Sequence, residues 1–324
     1  VNTNGLTVIE FKMYPEKYLD SYKINKIIYK DNDIEKTVDK DYKLEAIFYK
    51  NLSTFDDWQK VSKTVAENYI LTNDIDFTGK SRINTGVAFN RLETATDETT
   101  FSLKGINLEY KTNGSYYGLI SKVVTSIKNI GFEDVTITNS STAGNSFNNI
   151  MIYNYGIMSG VKFNNVTIDT PKKNFTAPIG DNFGTTIQNI TVKDVNITGN
   201  QYSSGFIART NNSMTDKVDN INGENITINA NSQYTGGLFG FFQNSINNQE
   251  IRVYTNLNVK DSNITSKGNY TGGIAGYGDC NNCSVENTTV IGTQFVGGIA
   301  GQTKQYYTYD AVVKDSTIEG SNSY

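Results

Sequence analysis

The chain has 324 residues, with 29 Lys plus Arg against 33 Asp plus Glu, a net charge of −4, and 37% hydrophobic residues. This balance, with no basic block, lacks the electrostatic footprint of a nucleic-acid-binding protein, and no apolar run approaches the roughly 18 residues that cross a bilayer. With 28 Gly, only 3 Pro, 16 Phe and 21 Tyr the chain reads as folded, and having no histidine it lacks the base of Ser-His and Cys-His nucleophile pairs.

Residues 1–50 read as a small β unit, with strand-like segments at Leu6 to Tyr14, Tyr22 to Tyr29 and Tyr42 to Tyr49 separated by charged turns such as Lys30-Asp-Asn-Asp. Residues 51–68 change period. Phe55, Trp58, Val61 and Val65 fall at helical spacing, Ser53 or Thr54 is placed to cap, and Asp56 and Asp57 lie in the first turn. The spacing predicts a helix over 54–67 whose apolar face, with the only Trp, covers the first layer of a stacked β fold. Such a cap is required wherever a fold of this kind would otherwise leave strand edges and apolar residues open.

From residue 69 to the end the chain reads as a solenoid. Tyr69 to Phe77 is its first strand, with Ile70, Ile75 and Phe77 as core. Asp74 and Asp76 flank Ile75 on one face, either as a solvated edge or as a carboxylate pair for calcium with help from other oxygens. Residues 79–100, polar and Thr-rich, read as a long loop ahead of Phe101-Ser-Leu-Lys-Gly.

The stretch Asn189 to Ile197 then repeats, at Asn129 to Ile137, Gly160 to Ile168, Asn220 to Ile228, Asn256 to Ile264, Asn282 to Val290 and Asp310 to Ile318. Asp or Asn stands five residues into every copy, at Asp134, Asn165, Asp194, Asn225, Asp261, Asn287 and Asp315, between 26 and 36 residues apart. A period of this length marks a solenoid or array. Apolar residues alternate within each copy and change phase at the acidic position, which predicts two short strands joined by a bend. Because Asn takes alternate copies, the stacked carboxylates are expected to sit two layers apart, limiting their repulsion. The recurring Asn129, Asn189, Asn220, Asn256 and Asn282 are expected to stack as an amide ladder, one per layer.

A second signature lies between the anchors, as in Gly205-Phe-Ile-Ala, Gly236-Gly-Leu-Phe-Gly and Gly272-Gly-Ile-Ala-Gly. The glycine before each apolar pair stands 11 or 12 residues after its anchor at Gly205, Gly237, Gly273 and Gly298, whereas the return arm varies from 14 to 24 residues. Each repeat is therefore one coil of a parallel β-helix with a constant arm and a variable one. The expected architecture is mainly β, with coils of about 30 residues, one short capping helix and a small β unit before it.

Cys280 and Cys283 form a CxxC, but Cys283 falls in the column of Ile130, Ile190 and Ile221 and Cys280 in that of Ile127, Ile187 and Val218. Both replace core residues, and with no second pair or histidine they complete no zinc site; a local disulfide is left open. Tyrosines gather beside the glycine arm at Tyr116, Tyr117, Tyr153, Tyr155, Tyr202, Tyr234, Tyr270, Tyr306, Tyr307 and Tyr309. They either cap the coil edges or form a recognition surface, for which Tyr202, Tyr234, Tyr270, Tyr306 and Tyr307 are the candidates.

In their order, Tyr49-Lys-Asn-Leu-Ser-Thr-Phe-Asp-Asp-Trp, Tyr69-Ile-Leu-Thr-Asn-Asp-Ile-Asp-Phe, Phe101-Ser-Leu-Lys-Gly, Tyr117-Gly-Leu-Ile, Ile127-Lys-Asn-Ile-Gly-Phe-Glu-Asp-Val-Thr-Ile and the Val296-Gly-Gly-Ile-Ala-Gly type repeats resemble the non-catalytic N-terminal region of Gram-positive immunoglobulin A1 proteases. Those are cell-surface zinc metallopeptidases whose N-terminal half carries GLUG repeats, and the resemblance runs from about residue 45 to the end. It implies a substrate-recognition or scaffold region of a secreted or wall-attached peptidase, monomeric, facing a host protein or glycoprotein such as an immunoglobulin. The family's His-Glu-x-x-His zinc motif has no counterpart here, so no catalytic residue carries over; no cofactor is expected in this chain, and zinc only in a catalytic domain outside it. Gly320-Ser-Asn-Ser-Tyr follows a strand directly, so the solenoid is expected to continue beyond it. GLUG repeats also occur in surface adhesins, which makes a binding module on a β-helix stalk the alternative, and a polysaccharide-active β-helix enzyme the second.

Overall fold

The computed structural model describes residues 47–96, 98–111, 116–141, 147–210, 217–242, 254–303 and 310–322, together with six short strands before residue 45. Two compact units result, Val1–Lys50 and Asn51–Tyr324.

In the first unit Asn2–Thr3 pairs antiparallel with Leu6–Thr7, Tyr22–Ile24 with Tyr42–Leu44, and Ile27–Asp31 with Ile34–Val38. The strand Ile27–Asp31 takes in Lys30 and Asp31, expected in a turn, and Ile34–Val38 is a strand that the sequence pattern does not predict. The expected strand up to Tyr14 lies, beyond Thr7, outside the described residues, and Ile47 to Tyr49 are not in a strand.

The second unit is a β-solenoid of about seven turns with coils about 30 residues apart. One series of parallel strands runs Phe101–Tyr110, Ile130–Asn139, Lys162–Asp169, Thr186–Gly199 and Lys217–Ala230, then continues as paired short strands to Val312–Lys314 and Thr317–Gly320. A second runs Glu67–Leu71, Val87–Thr94, Tyr116–Lys128, Phe147–Asn154, Ile179–Asn182, Ile207–Thr210, Phe239–Phe242, Ala275–Tyr277 and Ala300–Gln302. The two-residue strands Ser203–Ser204, Thr235–Gly236, Thr271–Gly272 and Val296–Gly297 form a third, narrow sheet.

Because strand side chains alternate, equivalent positions of successive coils form columns. Leu108, Ile137, Ile168, Ile197, Ile228, Ile264 and Val290 make one buried column. Phe132 and Phe163 stack within another, with ring centroids 5.3 Å apart. At roughly 1.5–3 kcal/mol for each fully buried aliphatic or Phe side chain, these columns drive the folding. Leu257 aligns with Cys283, and Cys280 and Cys283, both buried, are joined as a disulfide.

The bend expected at the acidic positions is a single left-handed residue: Asp134, Asn165, Asp194, Asn225, Asp261, Asn287 and Asp315 all have φ between 47° and 54°. Asn and Asp are the non-glycine residues that tolerate this region best. In the later coils Ser262, Thr288 and Ser316 come directly after the bend. Each hydroxyl accepts the amide of the preceding coil, from Ile226, Ser262 and Thr288, and donates to its own coil's carbonyl two residues back.

The capping helix is shorter than its spacing predicts, spanning Phe55–Gln59. Thr54 and Asp57 form a reciprocal capping box, and the Thr54 hydroxyl, then Ser53, holds the Asp57 carboxyl below the usual range. The far end is closed early by two devices. Asn84 donates its amide to the Val61 carbonyl at 2.9 Å, and the Ser62 hydroxyl takes the Thr64 and Val65 amides, diverting backbone groups that a longer helix needs. Val65, expected on the apolar face, is 60% exposed. Trp58 is fully buried, edge-on to Phe77 and tilted against Phe89, and its indole N–H reaches the Asn84 carbonyl at 2.8 Å.

Phe89 belongs to the stretch expected to be loop. Val87–Thr94 is instead a strand with Val87, Ala88, Phe89 and Leu92 buried. Its period is broken by a register shift around Asn90, whose amide bonds Asn68 and whose carbonyl accepts from Thr125. That polar insertion disguised the alternation.

Truncating the cap's anchor, Trp58→Ala, should destabilise the solenoid by about 3–5 kcal/mol in urea denaturation; a change below about 1 kcal/mol would mean that the helix covers nothing essential.

Candidate functional site

The predicted Asn positions do share one corner. Asn129, Gly160, Asn189, Asn220, Asn256, Asn282 and Asp310 succeed one another there, all left-handed. Their amides form pairs instead of a continuous ladder: Asn220 donates to Asn189 at 2.8 Å and Asn282 to Asn256, while Asn256 turns to Asp219 at 2.7 Å. That bond, the largest influence, keeps the Asp219 carboxyl below its ordinary range. Gly160 interrupts the row because a Cβ there would lie 2.1 Å from the Asn129 side-chain oxygen. The regular pairing occurs at the neighbouring bend, where Asn165 donates to Asp134, Asn225 to Asp194 and Asn287 to Asp261, each at 2.6 Å. The Asp/Asn alternation thus does more than space like charges: each amide donor satisfies the carboxylate one coil away.

A third corner of the coil is also left-handed, and aromatic residues hold it: Phe175, Tyr202, Tyr234, Tyr270 and Phe295, with φ between 54° and 65°. Bulky residues rarely adopt this conformation, at a cost of order 1–3 kcal/mol each. The offset is mutual. Tyr116, Phe147, Phe175, Tyr202, Tyr234, Tyr270 and Phe295 stack face to face in one ribbon, with centroids 4.5–5.4 Å apart and planes within 17° of parallel, and an aromatic pair contributes roughly 0.5–1.5 kcal/mol beyond its area. Glycine on the next strand lets the turn lie flat. A Cβ on Gly276 would sit 2.5 Å from the Thr235 amide nitrogen, and one on Gly301 equally close to the Tyr270 carbonyl carbon.

Tyr202, Tyr234 and Tyr270, three of the candidates for a recognition surface, stack on one another, whereas Tyr306, Tyr307 and Tyr309 lie outside the described residues. Phe175 and Phe295 were missed. For Phe295 a signal was present, since an aromatic stands three residues before the second glycine in Tyr234-Thr-Gly-Gly, Tyr270-Thr-Gly-Gly and Phe295-Val-Gly-Gly; Phe175-Thr-Ala-Pro lacks the glycines and carries no such mark.

Beside the ribbon, the outer strand face aligns Tyr153, Asp181, Arg209, Phe241 and Tyr277 in one register column. Phe241 stacks on Tyr277 at 4.7 Å and stands edge-on to Tyr234. Arg209 holds Asp181 with both ends of its guanidinium, through Nε at 2.8 Å and through Nη2, and lies 4.7 Å over the Phe175 ring. Asp181 is 1% exposed; burial pushes its carboxyl up, against the pull of Arg209. Burial likewise raises the Tyr153, Tyr155, Tyr234 and Tyr277 hydroxyls, so these remain protonated donors at neutral pH.

The remaining polar candidates are engaged within the fold. Asp74 pairs with Lys104 at 2.7 Å and accepts the Ser102 amide, and Asp76 accepts the Thr78 amide. Among the described residues no three His, Cys, Asp or Glu gather to hold a metal. Lys104, Glu133, Asn164, Lys193, Glu224, Lys260, Glu286 and Lys314 form an outward column of nearly alternating charge. A shallow depression of about 130 Å³ lies over it, lined by Asn222, Glu224, Asn258, Lys260 and Glu286 among others. Glu224 is paired there with Lys193 and Lys260, and Glu286 with Lys314. Comparison of the chain with models of known families, with curated proteins and with solved structures finds no match.

Removing Arg209 strands a buried carboxylate. A carboxyl whose folded pKa lies above its unfolded one supports the fold below the unfolded value and loses that contribution as pH rises through the folded value. Arg209→Ala should therefore cost about 3–5 kcal/mol near neutral pH and less near pH 4, where more Asp181 is neutral. Equal destabilisation at both pH values in thermal melts would contradict the assignment.

Proposed function

We propose that this chain is a non-catalytic recognition region of an extracellular, cell-surface zinc metallopeptidase resembling immunoglobulin A1 proteases, and that the aromatic ribbon is its contact surface. The observation that carries the reading is the ribbon itself: five aromatic residues hold unfavourable left-handed corners in consecutive coils, and strain maintained in this way clusters at functional sites. Rigid aromatics with wet hydroxyls suit binding because little conformational entropy is lost when they engage a partner. The order of motifs from Tyr49 onward supports the family, and on this reading a chain without histidine leaves the zinc chemistry to a separate domain. In this division of labour the solenoid, as a monomer, holds a host protein or glycoprotein, an immunoglobulin among the candidates, and the peptidase cuts it.

Surface plasmon resonance of the purified chain on immobilised immunoglobulin A tests this. Binding should fall about tenfold or more in Tyr202→Ala/Tyr234→Ala/Tyr270→Ala and persist in a Lys193→Ala control, with the immunoglobulin left uncut. Undiminished binding by the triple variant, no binding by the wild-type chain, or cleavage by the chain alone would overturn the proposal.

A further inference from the structure

The ribbon is periodic, and its period constrains what can lie along it. From Phe175 through Tyr202, Tyr234 and Tyr270 to Phe295 the rings advance by 4.8, 5.2, 4.9 and 5.0 Å, one ring per coil along the solenoid axis. The residue before each ring is an amide: Asn174, Gln201, Gln233, Asn269 and Gln294. Asn174 is buried and accepts from the Gln201 amide and the Asn200 side chain, while the other four are half-exposed and Asn269 donates to Gln294 at 3.2 Å. The Tyr202, Tyr234 and Tyr270 hydroxyls have no hydrogen-bond partner among the described residues and are not among the buried unpaired polar atoms, so they reach solvent. Each of these three coils thus presents one phenol and one amide, and none of the ring or amide positions carries a formal charge.

Stacking also decides which part of each ring is offered. The faces from Phe147 to Tyr270 are covered by their neighbours, leaving edges and hydroxyls. A ligand that needs a free ring face to lie on finds none there; one that exchanges hydrogen bonds at every rung does. An extended polypeptide returns a side chain to the same face every two residues, about 6.6–6.8 Å, out of step with the coils. A β-1,4-linked sugar chain in its extended two-fold form advances by nearly one coil spacing per sugar; successive sugars turn over, so each coil meets a polar edge and the same face returns at every second coil, in step with the stack. From this match we infer that the ribbon between Phe175 and Phe295 binds a neutral, extended β-1,4-linked polysaccharide lying parallel to the solenoid axis, one sugar per coil. The inference rests on reading the ribbon as a recognition surface and adds to the folded host protein proposed above a second class of ligand, an extended glycan.

Isothermal titration with β-1,4-linked N-acetylglucosamine oligomers of two to six sugars, with maltohexaose and with a ten-residue alternating Thr-Ser peptide tests it. Affinity for the β-1,4 oligomers should rise with each added sugar, and maltohexaose and the peptide should bind at least about tenfold more weakly. Tyr234→Ala, at the centre, should lower affinity for the hexamer about tenfold. Tyr234→Phe, which keeps the stack and removes the hydroxyl, should lower it a few-fold at unchanged melting temperature, and Lys193→Ala should leave it alone. No rise with oligomer length, equal binding of maltohexaose or the peptide, or indifference to Tyr234→Phe would overturn the polysaccharide assignment. Loss of immunoglobulin or peptide binding in the same tyrosine variants would still leave the ribbon a recognition surface, so the two failures are distinguishable.

Discussion

Registered stacking of left-handed corners is the constraint on which the molecule depends. A parallel coil closes only if the chain turns at the same places in every layer, and three of those turns are single residues at positive φ. Two are held by Asn and Asp, which enter that region at little cost and whose side chains bond across coils. The third is held by aromatic rings, which enter it at greater cost and are stabilised by the ring above and the ring below. Corner chemistry therefore divides the surface. Amide and carboxylate corners are satisfied internally, while the aromatic corner leaves edges and hydroxyls toward water.

The charged column shows the same register from another side. Nearly alternating Lys and Glu at one outward position meet across coils at 2.9–3.6 Å. Exposed pairs of this kind contribute about 0–1 kcal/mol each, so they add little stability. A coil displaced along its neighbour would nonetheless lose them together with the buried Ile and Val columns, since a one-residue slip turns every side chain to the opposite face. Arg209 and Asp181 replace an aromatic pair in the column beside the ribbon. Their bidentate contact keeps a buried carboxylate from standing alone beside Tyr153, its neighbour in the column.

Much of this was legible in the residues because stacking is a short-period phenomenon. The repeat of Asn189 to Ile197, the glycine arm and the columns of Cys280 and Cys283 all emerge from counting positions. What counting missed was long-range. The helix ends at Gln59 because Asn84, from a later segment, takes its terminal carbonyls. Val87–Thr94 looked like loop because Asn90 breaks its alternation, yet that asparagine is bonded to the coils on either side. The amide ladder drawn through Asn129 and Asn282 is in truth a set of pairs, since Gly160 and Asp219 redirect it. The aromatic ribbon was half visible: the tyrosines were singled out, but φ is not written in a residue type, and Phe175 and Phe295 joined them only once the turns were seen to be equivalent.

Engineered cross-linking tests the register most directly. Thr167 lies opposite Asn196 in the adjoining coil, at a strand spacing of about 4.8 Å that lies within the usual Cα separation of a disulfide, about 4.4–6.8 Å. Thr167→Cys with Asn196→Cys should oxidise to a disulfide readable by mass spectrometry, while Thr167→Cys with Thr198→Cys, one step along the same face, should not. Cross-linking of the second pair in preference to the first would mean that the coils are stacked in another register, and the corners, the columns and the ribbon would all have to be redrawn.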